Sequence, residues 1–188
     1  MLAVVDIATF IADLKDLAAD HGFHVHDERH FVETYSMRQA WEVDLHPAEA
    51  CGGPLDLLVA LEVDPRVMLA FEDAVIAMSE GDPPPTGHVL PFVVTWALPP
   101  LPQSPDLLIL ATDLAGIGGT QLPLEVSAAD AFVSVTDPPQ RSLTISARID
   151  VALDELFLGQ EVLGNVLAIA FDVSQFLLDR APAWLGDP

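Results

Sequence analysis

Cysteine, lysine and tyrosine each occur once in the 188-residue chain, as Cys51, Lys15 and Tyr35. A lone cysteine excludes an internal disulfide framework and agrees with a reducing compartment. Cys51 stands in an Ala-Cys-Gly-Gly-Pro turn with no base beside it, which argues against a nucleophilic thiol. Basic residues are scarce as well: seven Lys and Arg face 29 Asp and Glu, for a formal net charge of −22. Without clustered Lys and Arg such a field repels phosphate, so neither nucleic acid nor an anionic membrane is expected as a partner. No apolar run reaches the roughly 20 residues that a bilayer span requires. The best candidate, Val162 to Phe171, is interrupted by Asn165 and ended by Asp172. The opening Met-Leu-Ala-Val-Val-Asp lacks the basic n-region of a secretory signal, so a cytoplasmic protein is expected. Recognisable catalytic motifs are missing too: there is no G-x-S-x-G elbow, HExxH or CxxC. Gly116-Ile-Gly-Gly119 lacks the Gly-Lys-Ser/Thr ending of a phosphate-cradling loop and is expected to be a flexible turn between strands.

What is present is apolar. Hydrophobic residues make up 51% of the chain, enough for one domain, 1–188, with a full core. Val4, Ile7, Phe10, Ile11, Leu14, Leu17 and Ala18 form one stripe, predicting a helix over residues 3 to 20 with Gly22 at its C-terminal cap. Phe23 to Met37 is predicted as one strand and Ala40 to Leu45 as a second; Leu55, Leu57, Val59, Leu61 and Val63 alternate as a third. Asp64-Pro65, then Met68, Phe71, Val75 and Met78, with Gly81 beyond, predict a helix over 65–79. A hairpin through Asp64-Pro65-Arg66 competes, because Val67, Leu69 and Phe71 also alternate. His88 to Leu98 reads as a strand, and Pro91 places it at a sheet edge. The proline-rich stretches on either side read as rigid loops.

Further on, Leu122 to Val126, Ala131 to Val135 and Leu143 to Val151 predict three strands of an antiparallel meander, the last two joined by a turn at Asp137-Pro138-Pro139-Gln140. Its wet face, Ser142, Thr144, Ser146, Arg148 and Asp150, is small and nearly neutral. A long amphipathic helix from Gln160 to Arg180, stopped by Pro182, closes the chain. The expected class is α+β: an antiparallel sheet of about six to seven strands, with an N-terminal helix and a long C-terminal amphipathic helix packed on one face.

Chemistry concentrates in one segment, where His21, His24, His26 and His30 fall within ten residues. On a regular strand His24, His26, Glu28 and His30 project from one face at period two. Imidazole at that spacing suits Zn²⁺ or another transition metal, with His24, His26 and His30 as ligands. Same-face neighbours on one strand diverge, so a further ligand has to come from elsewhere, and His46 is the choice.

Size, acidity and approximate element order are similar to those of small acidic chaperones of bacterial secretion systems, a likeness that no motif carries. The charge and the missing motifs favour a non-enzymatic protein-binding module of chaperone, immunity or adaptor type that engages a basic or hydrophobic partner. A homodimer is also expected, since edge strands and apolar surface invite self-association. The alternatives are a small-ligand pocket between sheet and closing helix, lined by Phe92, Trp96, Phe132, Phe157, Phe171 and Phe176, and a metal-dependent enzyme built on His21 to His30.

Overall fold

Alternating apolar residues can bury only one face of a strand, and that arithmetic decides which side of the sheet is covered. The computed structural model describes residues 5–132, 134–136 and 139–186. Six strands, β1 (Phe23–Val32), β2 (Gln39–Pro47), β3 (Asp56–Val63), β4 (Val89–Leu101), β5 (Leu124–Ala131) and β6 (Gln140–Ala152), form one sheet ordered β1-β2-β3-β4-β6-β5. Every pairing is antiparallel. The helices are α1 (Ile7–Asp20), α2 (Pro65–Ile76), α3 (Leu107–Gly118), α4 (Leu153–Phe157) and α5 (Gly164–Leu185). The α+β class and the two terminal helices match the expectation from periodicity.

Leu57, Val59 and Leu61 of β3, Phe92, Val94 and Trp96 of β4, and Leu143 and Ile145 of β6 are all buried on one face. α1 packs there through Ile11, Leu14 and Ala18, α3 through Leu110 and Leu114, and α5 through Leu167, Ala170, Val173 and Leu177. The alternate residues, among them Leu58, Ala60, Val93, Thr95 and Ser146, are half-buried on the opposite, open face. At the centre of the covered face Trp96 is wholly buried, and an indole N–H in such a place needs an acceptor. It finds one in Ser174 of α5, whose Oγ lies 2.9 Å from Nε1. The Ser174 hydroxyl in turn donates to the Ala170 carbonyl one turn back, at 2.8 Å.

Aspartates start three of the helices. Asp6 accepts from the Ala8 and Thr9 N–H groups at α1, Asp64 from Arg66 at α2, and Asp106 from Leu108 and Ile109 at α3. Part of the acidity is therefore helix-capping hardware. The Thr9 N–H and hydroxyl hold the Asp6 carboxyl below its usual 3.8. The Arg66 N–H, and after it the Arg38 guanidinium, do the same for Asp64.

The structure departs from the sequence-based expectation in several places, each with a physical reason. The long first strand ends at Val32, where residues 33–38 turn the chain into β2. The helix expected over 65–79 is present and the competing hairpin is not, since Asp64 caps it and Phe71 is its buried anchor; only its end differs, at Ile76. β4 is an interior strand despite Pro91. Its pairing with β3 stops at Phe92, so Pro91 lies beyond that ladder and pairs only with Asp150 of β6. Pro99 and Pro100 extend the same strand inside a register shift between Leu98 and Leu101, where no ladder N–H is required.

The Gly116–Gly119 segment is the last turn of α3 and its cap, with Gly119 at φ 58°. Gly118 leaves room for the close approach of β5: a Cβ there would meet the Leu124 Cδ1 at 3.0 Å, and that side chain would have to shift. The predicted strand over 131–135 is absent among the described residues: β5 ends at Ala131, and Phe132 and Val135 are exposed. Val133, and Asp137 and Pro138 of the predicted turn, lie outside the described residues. α5 runs past Pro182 to Leu185, because Trp184 and Leu185 pack against the core and the Trp184 carbonyl accepts from the Gln103 N–H at 3.0 Å. No helix among the described residues is long and apolar enough to cross a membrane.

Two measurements check this architecture. Ser174→Ala leaves the Trp96 N–H buried without a partner and is expected to lower unfolding free energy by about 1–3 kcal/mol in urea titrations. The second concerns acid. Carboxyls held below 3.8 stabilise the fold above that pH, and lose the contribution as pH falls through their folded values. The stability advantage of the wild type over an Asp6→Asn/Asp64→Asn variant should therefore be full above about pH 5 and shrink as pH falls through 3.8 and below; an advantage unchanged down to about pH 2 contradicts it.

Candidate functional site

Among the described residues, two side-chain clusters outside the core combine charge or ligand chemistry of one kind, one on each side of the sheet. The first gathers at the start of β1 on the open face. His24 stands directly opposite His46 of β2 in the register, and a β-bulge between Val25 and Asp27 makes His26 an extra residue without a cross-strand partner. The His26 and His46 rings meet edge to face, with centroids 4.4 Å apart.

The bulge also changes the phase of the strand. Beyond it Asp27 and Arg29 lie on the open face, where Arg29 is bidentate to Asp44 at 2.9 and 3.0 Å and also reaches Glu42 and Asp27. Those bonds, the Asp44 carboxylate first, push the Arg29 guanidinium further up. Glu28 and His30 turn the other way: Glu28 pairs with Lys15 of α1, and His30 stacks on Trp41 at 3.8 Å while bonding Gln39. Of the residues offered as metal ligands, the structure brings His24, His26 and His46 together and sets His30 apart.

In place of His30 the cluster gains Cys51. Its Sγ lies 3.1 Å from Nδ1 of His24 and 3.6 Å from Nε2 of His26. One donor atom from each of these three exposed residues lies within 4.8 Å of the other two. The thiol is held there by backbone geometry. Cys51 has φ −57° and ψ 125°, Gly52 has φ 81°, and the Gly53 N–H donates to the Ala50 carbonyl at 2.9 Å. Those values describe a type II turn with Cys51 at its first central position. Gly52 supplies the positive φ that the second position demands. A Cβ on Gly53 would sit 2.9 Å from the Ala50 oxygen, so that position is also reserved for glycine. The Cys-Gly-Gly triplet was the visible sign of this turn; that it folds back over β1 is a tertiary fact.

The second cluster is a groove of about 550 Å³ on the helix-covered side, between α1 and residues 156–163. Its floor is apolar, from Phe10, Leu14 and Leu17 of α1 together with Val162 and Leu163. Every charged residue lining it is acidic: Asp6, Asp13, Asp16, Asp20 and Glu161. Asp6 and Glu161 are occupied as caps, Glu161 accepting from the Leu163 and Gly164 N–H groups. Asp13, Asp16 and Asp20 are exposed. Their i, i+3, i+7 spacing sets them along one face of α1 over roughly 10 Å.

The aromatic residues that the sequence offered as pocket lining are scattered. Phe92 and Trp96 are fully buried, Phe171 and Phe176 are half-buried against the core, and Phe132 is 74% exposed. The Trp96–Ser174 bond occupies the interface between sheet and closing helix. Comparison with protein-family models, curated proteins and solved structures finds no match.

Two glycines, Gly52 in this turn and Gly116 in α3, carry predictions of opposite sign. Gly52→Ala forces a side chain into positive φ and is expected to cost about 1–2 kcal/mol. Gly116→Ala, inside α3 with no atom within 4 Å of the new Cβ, is expected to add about 0.5–1 kcal/mol. Denaturant midpoints of the two variants give both signs.

Proposed function

We propose that this chain is a non-enzymatic binding protein, of chaperone, immunity or adaptor type, that takes up a basic amphipathic helix of another protein in the groove along α1. The observation that carries this is the pairing of an apolar floor with a rim whose charges are all negative. An amphipathic helix presents apolar residues at i, i+3, i+4 and i+7 with cationic residues flanking them, which is the complement of that surface. The net charge of −22 adds long-range steering of a cationic partner and repels a second copy of the same surface.

The size of the effect follows from exposed ion pairs. Asp13, Asp16 and Asp20 at roughly 0.3–1 kcal/mol each amount to about 1–3 kcal/mol, or roughly 5- to 150-fold in affinity. The apolar floor supplies the rest of the binding energy and the acids select for a cationic partner.

A synthetic helical peptide with leucines on one face and lysines beside them is the probe, and its counterpart with glutamine for lysine is the control. The lysine peptide is expected to bind, to weaken as salt is raised, and to weaken roughly 5- to 150-fold against Asp13→Asn/Asp16→Asn/Asp20→Asn. Equal binding of the glutamine peptide, or no binding of either, would overturn the proposal.

A further inference from the structure

We infer that His24, His26 and Cys51 form a binding site for a borderline-soft divalent transition metal of the zinc class. The site lies on the open face of the sheet, away from the groove on the helix-covered side, so it stands or falls independently of the proposed partner.

The distances come first. Zinc–nitrogen bonds of about 2.0–2.1 Å and a zinc–sulfur bond of about 2.3 Å, at tetrahedral angles, separate nitrogen from sulfur by about 3.5 Å. The two nitrogen–sulfur separations here are 3.1 and 3.6 Å. The two imidazole nitrogens have to stand about 3.3 Å apart at tetrahedral angles, and all three donor atoms already lie within 4.8 Å of one another, so side-chain rotation alone is asked to close the set.

The donor set then selects the ion. Two imidazole nitrogens and one thiolate suit zinc and its neighbours; calcium and magnesium require oxygen. The nearby carboxylates do not compete as hard ligands, because Arg29 already engages Asp27, Glu42 and Asp44. Three protein ligands leave a fourth position for water or for a group from a partner. The exposure of all three residues gives the ion a path in.

Both halves of the site are also preorganised. The type II turn fixes Cys51, while the bulge at His26 and the His46 ring packed against it constrain the imidazoles. His46 is a positioning residue in this assignment: its ring contacts His26, and it is not among the three residues whose donor atoms converge. The whole-protein charge of −22 raises the local concentration of any cation.

Cobalt(II) is the probe, because a thiolate ligand gives a near-ultraviolet charge-transfer band and tetrahedral geometry gives intense visible bands. Reduced, metal-stripped protein is expected to develop both at one equivalent, and zinc to displace the cobalt and raise the melting temperature. Cys51→Ser should abolish the charge-transfer band, and Cys51→Ser and His24→Ala should each weaken binding at least ~100-fold. His30→Ala should bind as the wild type does, with circular dichroism confirming that every variant is folded. The inference is overturned by the absence of a cobalt spectrum in folded protein, by full affinity in Cys51→Ser, or by a loss in His30→Ala equal to that in His24→Ala.

Discussion

Burying the indole N–H of Trp96 without an acceptor would cost about 1–3 kcal/mol, and the helical layer supplies that acceptor at the centre of the sheet. Ser174 meets it from α5, and this bond agrees with the rotation that the buried stripe of that helix already requires. With Ser174 facing β4, Ala170, Val173 and Leu177 fall against the core as well. α1 and α3 then pack on either side of α5. The segment leading into α5, residues 156–163, is thereby brought beside α1, and the acidic groove is the space left between them. The seating of α5 on the sheet thus defines one of its walls.

The sheet separates two kinds of surface. Its covered face spends the large apolar residues on the core. Its open face mixes apolar residues such as Leu58 and Val93 with polar and ionic ones, with Arg29 gathering three carboxylates across β1 and β2. The strand that ends the sheet on that side, β1, has a bulge and consecutive charged residues at Asp27, Glu28 and Arg29. Both features discourage another strand from pairing there. The groove and the histidine–cysteine cluster accordingly lie on opposite sides, and occupation of one leaves the other accessible.

How much of this was legible depended on whether a signal was local. Alternation in Leu57 to Val63 and Leu143 to Val151 revealed buried strands, and Asp64-Pro65 announced a helix start, because side-chain period and cap chemistry are written within a few residues. α3 was hidden for the opposite reason. Leu107-Leu108-Ile109-Leu110 is apolar all round, so it shows no stripe, and the glycines that follow have low helical preference. Gly118 is tolerated there for its contact with Leu124, which is remote in sequence. Pro182 misled similarly: Trp184 and Leu185 are held by the core, and that packing carries the helix past a residue that usually ends one. At the histidine–cysteine cluster the histidines are visible as a group, but strict period two assigns His30 to the wrong face. Cys51 lacked a neighbouring base in sequence and acquired imidazole neighbours only through the fold of β1 on β2.

The bulge at His26 has a consequence for insertions and deletions. An extra residue in a ladder is one that the ladder does not count. Removing the single codon for His26 would leave Asp27 to Val32 opposite the same partners, from Asp44 to Gln39, and the sheet would close over the gap. Loss of a codon farther along the strand would instead reverse the faces of the residues on one side of the lesion. The position that brings His26 to the thiol is therefore the one in β1 whose length the fold does not require, and the site could be gained or lost without rebuilding the sheet beneath it.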